Sequence, residues 1–206
     1  PRIGAARAGL DTPAKLPNIA NSKLSAQGQR AQIDLIQALN RERLAQDQVN
    51  PQVEGVIESY ELAFRMQSAV PGVMDLSKES DSTRQMYGLD DDEAGRFGRQ
   101  CLLARRFVEA GVRFVEIGAG GWDQHRNLKA DHERNAASVD KPIAALLTDL
   151  KQRGLLKDTL VIWGGEFGRT PYAQGGTDGR DHNNKGFTLW MAGGGVKGGH
   201  VHGATD

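Results

Sequence analysis

Four short strings hold the groups in this chain that can do chemistry: Trp122-Asp123-Gln124-His125, Glu166 directly after Gly164-Gly165, the Arg169-Thr170 pair, and Arg180-Asp181-His182. Carboxylates and imidazoles supply oxygen and nitrogen ligands. Several of them converging from loops suit a divalent cation such as Zn2+, Mg2+, Mn2+ or Ca2+. Asp123, His125, Glu166, Asp181 and His182 are therefore the expected metal ligands. Arg169 and Arg180 carry the planar fork of donors that fits a phosphate or sulfate oxyanion. A cation beside two guanidiniums can stabilise the charge that develops when such an ester is cleaved.

Each group also has a plain structural role to weigh against this one. Glu166 can pair with Arg169 or Arg180, and Asp181-His182 can form a turn. His132 sits among charges and reads as surface, while His200 and His202 alternate as they would on one strand face. Thr170 precedes Pro171, which fits a turn. Cys101 lies on the apolar side of a helical pattern, where a small core residue is expected rather than a nucleophile. No Ser, Thr or Cys among these strings follows a strand and heads a helix, so the nucleophile is expected outside this chain.

The elements that must carry these groups follow from periodicity. The apolar runs Phe114–Ile117 and Leu160–Trp163 read as strands ending in glycine-rich loops, with a helical pattern of about Ala130 to Arg153 between them. Strand, helix, strand is a βαβ crossover, so the two strands are expected to be parallel. Ligands bind beyond the carboxyl ends of such strands. Phe187–Ala192 and a short run at His200–His202 are read as further strands. Upstream, Ser25 to about Gln48 and Pro51 to about Val70 read as an antiparallel pair of helices, followed by a polar connector with a short turn at Thr83–Tyr87. The run Asp90-Asp91-Asp92-Glu93 leads into a helix stopped by Gly111, and Pro142 is expected to kink or restart the later helix. The predicted organisation is residues 1–24 as an extended segment, 25–92 as a helical pair with connector, and 93–206 as an α/β core. That core is a mainly parallel sheet flanked by helices.

Composition narrows the function. The 206 residues carry 26 basic and 26 acidic side chains, which gives no nucleic-acid footprint, and no apolar run reaches the length of a membrane span. One cysteine excludes an internal disulfide framework. Of the 26 glycines, most fall after Gly111, where loops must turn sharply or approach a ligand. The first residue is Pro1 and the last four are Gly203-Ala204-Thr205-Asp206, just after an expected strand. The chain thus reads as one truncated domain, with an edge and apolar surface exposed where further strands would pack.

Several uncommon strings occur together: RQCLLARRFVEAGVRFVEIG, GGWDQH, LLTDLKQRGLLKDTLVIWGGEFGRTP, GRDHN and MAGGGVKGGHVHGATD. From about Phe97 to Asp206 they resemble the DUF1501 family, and more loosely before that. The resemblance implies a relation to the alkaline phosphatase/sulfatase superfamily and an incomplete fold of that type. In the superfamily a strand like Thr159–Trp163 delivers an Asp and a His to two metal ions. Glu166 stands where that Asp would be, and Phe167 replaces the His. Asp123 and His125 resemble the metal-binding Asp and His pair, though more closely spaced, and His182 the later histidine. The implied function is metal-dependent hydrolysis of phosphate or sulfate esters, on a small molecule or a polysaccharide, by an exported (periplasmic or extracellular) protein. The alternative is a silent member that keeps the fold to bind, for example, a sulfated polysaccharide. This segment alone is expected to show no turnover.

Overall fold

A computed structural model describes residues 19–46, 51–175 and 178–204. The chain divides into two compact units, one ending at Ser77 and the other starting at Lys78.

The first unit is a pair of helices, α1 (Ala26–Gln46) and α2 (Pro51–Met74). Ser25 caps α1, its hydroxyl accepting from the Gly28 amide at 3.1 Å. Pro51 opens α2, where its fixed φ and missing N–H cost nothing. The helix was expected to stop before Pro71 but runs through it to Met74. Arg30 holds the two helices together. Its Nη1 donates to both Glu61 carboxylate oxygens at 2.8 Å, and its guanidinium lies 5.2 Å from the Phe64 ring centre. Ile33 and Val70 are buried, but Leu35, Ile36, Leu39, Val56 and Tyr60 are exposed. The apolar stripe read from the sequence therefore covers little core.

The second unit is built on α3 (Asp81–Met86), α4 (Gly95–Glu109) and α5 (Leu128–Gln152). α4 packs along α5. Cys101, Leu102, Leu103 and Phe107 are buried on the first helix, Val139, Ala145 and Leu150 on the second, with Tyr87 and Leu89 beside them. Each large apolar side chain so covered contributes about 1.5–3 kcal/mol. Gly98 lets α4 meet the preceding turn: a Cβ there would stand 2.1 Å from the Tyr87 carbonyl oxygen. Inside the contact lies Arg105, 1 % exposed. It donates to Glu79 at 2.6 Å and Glu109 at 2.7 Å. Its Nε stands 2.9 Å from Asp149 Oδ2, close enough for an ion pair but not aligned as a hydrogen bond. Asp149 in turn accepts from the Tyr87 hydroxyl and from Arg153 Nε. This network ties α4 to the C-terminal half of α5. The helix continues through Pro142 and ends at Gly154, whose φ of +69° gives the left-handed stop.

The expected mainly parallel, alkaline-phosphatase-like sheet is absent among the described residues. In its place are two small antiparallel pairs. β1 (Leu160–Gly164) pairs with β4 (Leu189–Gly193), and β2 (Gly168–Arg169) pairs with β3 (His182–Asn183). The reason lies in two places. Phe114–Ile117, despite its composition, forms no strand longer than a single bridge residue at Glu116, and Phe114 is 72 % exposed, so among the described residues α5 does not link two strands of one sheet. After β1, the chain turns back through the β2/β3 hairpin and returns alongside β1 in the opposite direction, with Trp163 facing Trp190. The run at His200–His202 is not a strand either. Leu160, Ile162, Trp163, Leu189, Trp190 and Met191 are all exposed on the β1/β4 ribbon. Among the described residues no helix is long and apolar enough to cross a membrane.

Candidate metal centre

Two loops build the site. The first enters α5 from residues 118–127, and Asn127, in the left-handed region at φ 51°, makes the final turn into the helix. The Gly121 carbonyl accepts from the side-chain amides of Gln124 and Asn135, which anchors the loop to the body of α5. The second loop is carried by the β2/β3 pair, in which Arg169 and His182 are directly opposed. Its two ends are closed by Thr170: the Thr170 amide donates to the Asp181 carbonyl at 2.9 Å, and Thr170 Oγ1 accepts from the Asp181 amide at 3.0 Å.

Backbone bonds then join the loops. The Arg180 amide donates to the Gln124 carbonyl at 3.0 Å, and the Leu128 amide to the Asp178 carbonyl at 3.2 Å. Between these bonds the chains approach so closely that a Cβ on Gly179 would lie 1.8 Å from the His125 carbonyl oxygen. Only glycine fits.

At the junction, three nitrogens converge on one atom. Asp123 Oδ1 takes hydrogen bonds from Arg169 Nη1 at 2.6 Å and His182 Nε2 at 2.9 Å, and His125 Nε2 lies 3.0 Å away without being aligned as a hydrogen bond. The hydrogen bonds from His182 and Arg169 hold the Asp123 carboxyl down to about 2. The ligand atoms of Asp123, His125 and His182 all lie within 4.8 Å of one another. Ligand atoms around a four-coordinate Zn2+ sit about 3.3 Å apart, given bonds of about 2.0–2.1 Å, so small side-chain shifts would enclose an ion. The centre is half open to solvent: Asp123 is exposed, and both imidazoles are partly so. A shallow hollow of about 350 Å3 adjoins it, lined by Gly121, Gln124, Arg126 and Asp131 as well as Asp123 and His125. Phe167 forms one wall. Its ring centre is 4.5 Å from that of His182, and the Arg169 guanidinium lies 5.6 Å from it.

Of the five ligands expected from the sequence, the fold brings Asp123, His125 and His182 together. Glu166 is exposed on the turn between β1 and β2, outside this group. Asp181 spends Oδ1 on the His182 amide at 2.7 Å, and so orients the strand that carries His182. Arg169 is at the centre, whereas Arg180 Nη1 donates to the neighbouring Gly179 carbonyl. Thr170 Oγ1 donates to the Tyr172 carbonyl at 2.8 Å, which leaves it a turn residue. Burial pushes the Cys101 thiol up to about 12. His132 meets Trp122 edge-on, and His200 and His202 stack loosely on each other.

Three participants were not legible as such. Gln174 faces His125 Nδ1, Gly179 permits the close approach, and Phe167 packs on His182. Only Phe167 had left a signal, as the aromatic residue standing where a ligand was expected.

The family model described as "Protein of unknown function (DUF1501)" matches residues 4–206. No curated protein and no solved structure matches the chain.

Proposed function

The chain belongs to the DUF1501 family, and from that premise we propose that the Asp123–His125–His182 centre binds a divalent cation and hydrolyses phosphate or sulfate esters there. The observation that carries this reading is the convergence of two imidazole nitrogens and a guanidinium on Asp123 Oδ1. Two nitrogens and one oxygen suit Zn2+ better than Mg2+ or Ca2+, which prefer shells made of oxygen. When bound, such an ion supplies Lewis-acid polarisation of the ester oxygen. Arg169, beside it, would hold a second oxygen of the same ester through its fork of donors. Asp181 keeps the His182 backbone in place.

A second reading is favoured by Thr170 and Cys101, the two side chains of the sequence closest to a nucleophile. The first is engaged in its turn, and the second is buried in α4. With neither available, the same centre would bind a sulfated or phosphorylated polysaccharide through a cation without cleaving it.

Zinc titration by calorimetry, followed by a panel of aryl phosphates and sulfates, separates these readings. Stoichiometric uptake is expected in the wild type, with loss of uptake in Asp123→Asn and His182→Asn. Turnover that disappears in the same variants supports hydrolysis, and saturable ligand binding without turnover supports the second reading. A wild-type protein that takes up no zinc sinks both.

A further inference from the structure

His125 can serve as a ligand through Nε2 only if its ring proton sits on Nδ1, and the fold contains a device that decides this. We infer that Gln174 is a positioning residue that fixes the tautomer of His125; this inference rests on the metal-centre reading above. Gln174 lies on the loop between β2 and β3, far from His125 in sequence, and its Oε1 makes a hydrogen bond with His125 Nδ1. An amide oxygen can only accept, so Nδ1 is the donor and carries the hydrogen. Nε2 makes no aligned hydrogen bond, although Asp123 Oδ1 is 3.0 Å away, so in the neutral ring it is left with its lone pair beside His182. Had the amide nitrogen of Gln174 faced the ring, it would donate to Nδ1 and place the ring proton on Nε2. That tautomer cannot bind a cation at the centre.

The surrounding backbone makes Gln174 more than a chance contact. Thr170 closes the loop at its base, and the two amide–carbonyl bonds from Arg180 to Gln124 and from Leu128 to Asp178 hold its far side against the His125 segment. Gly179 brings the two main chains together at His125 itself. The Gln174 side chain therefore reaches Nδ1 from a loop already fastened on the other side of the same residue. Metal-bound histidines commonly donate their second ring N–H to an oxygen in this way, and loss of that partner lowers metal affinity about 10–100-fold.

Three variants test the assignment: Gln174→Glu, which keeps an acceptor; Gln174→Leu, which removes it; and Gln174→Lys, which offers only donors. Two measurements are made on each. The first is the protonation pattern of the His125 ring nitrogens in metal-free protein, read by nitrogen-15 NMR in mildly alkaline buffer. The second is zinc affinity. The expected result is an Nδ1–H ring in wild type and Gln174→Glu, with near-equal zinc affinity. In the Leu and Lys variants the Nε2–H form should grow and zinc affinity should fall about 10–100-fold. Wild-type protein with the proton on Nε2 overturns the inference, as does a Leu variant with the wild-type tautomer and affinity. A Glu variant as weak as Leu also overturns it, because the contact would then be packing alone. If the wild type takes up no zinc, the metal reading has failed, and the NMR pattern still decides what Gln174 does to the ring.

Discussion

Arg169 and His182 face each other across the β2/β3 pair, and both side chains end on the same oxygen of Asp123. Directly opposed residues of an antiparallel pair share a face, so two residues of a very short hairpin suffice to present a cation and an imidazole together. The two nevertheless have separable tasks. In Arg169→Ala, removal of a positive charge next to the ligands should leave zinc affinity no weaker than in wild type. Inorganic phosphate should bind the zinc-loaded variant at least about tenfold more weakly, a loss of about 1.4 kcal/mol. Calorimetry of phosphate into zinc-loaded protein checks this; equal phosphate affinity removes Arg169 from the ligand's contacts.

Phe167 is the simplest place to strengthen the centre. Its ring lies 4.5 Å from that of His182, so an imidazole in its place comes within reach of the same ion. Phe167→His is expected to raise zinc affinity by about tenfold or more, through a fourth ligand. A competition titration against a chelator measures the gain, and an unchanged or lower affinity counts against the placement of the ion.

Gly179→Ala should separate the two loops without touching a ligand. The added methyl has the His125 carbonyl as its neighbour, and backbone cannot step aside as a flexible side chain can. Zinc affinity should fall by at least about tenfold, while far-UV circular dichroism, dominated by the helices, stays the same. An alanine variant that binds zinc normally would show that the close approach is dispensable.

The helical core carries its own pH dependence. Burial raises the Glu79 carboxyl, but the hydrogen bonds from Arg106 and Arg105 outweigh it and hold the group below its ordinary value of 4.5. A lowered carboxyl contributes stability that is complete above the unfolded value and drains away as pH falls through the folded one. Urea denaturation should show this loss below about pH 4.5 in wild type. Glu79→Gln should cost about 1.5–3 kcal/mol at neutral pH, because Arg105 keeps Glu109 and Asp149 but loses one charged partner, and should flatten the acid limb. An unaltered acid limb in the variant means that other groups set it.

Cys101 should behave as core. It is 1 % exposed, and burial pushes its thiol up to about 12, so it is neither accessible nor ionised at neutral pH. A disulfide reagent such as DTNB is expected to label it only as the protein unfolds in denaturant. Rapid labelling of native protein would contradict the packing of α4.

The helices were legible because each has local causes that the sequence displays. Ser25 and Pro51 mark starts, Gly111 and Gly154 mark stops, and the apolar spacing of α4 and α5 matches their buried faces. Pro71 misled, since its helix runs on to Met74, while Pro142 lies inside a helix that continues without a restart. The sheet misled more deeply. Phe114–Ile117 and Leu160–Trp163 have equally strand-like compositions, yet composition carries no information about length, partner or direction: the first amounts to a single bridge residue at Glu116, and the second forms a strand paired with one running the opposite way. Asp123, His125 and His182 were expected at the centre together with Glu166 and Asp181, all acids or imidazoles in glycine-rich loops, and the sequence alone did not separate the three that converge from the two that do not. Gln174 could not be picked out, because an amide in a glycine-rich loop has many uses, and only the closure of the loop gives it one.

Asp123 Oδ1 cannot keep three nitrogen partners and accept a cation as well. An ion bound there would take the place of the hydrogen between His182 and the carboxylate, and it would weaken the hold on the Arg169 guanidinium. Loading with a cation would therefore free Arg169 to receive an anion. By thermodynamic linkage, an anion captured by that guanidinium must tighten the cation by the same factor. On the proposed reading, a single atom would carry the coupling that other sites spread over a conformational change, each guest arriving more readily after the other.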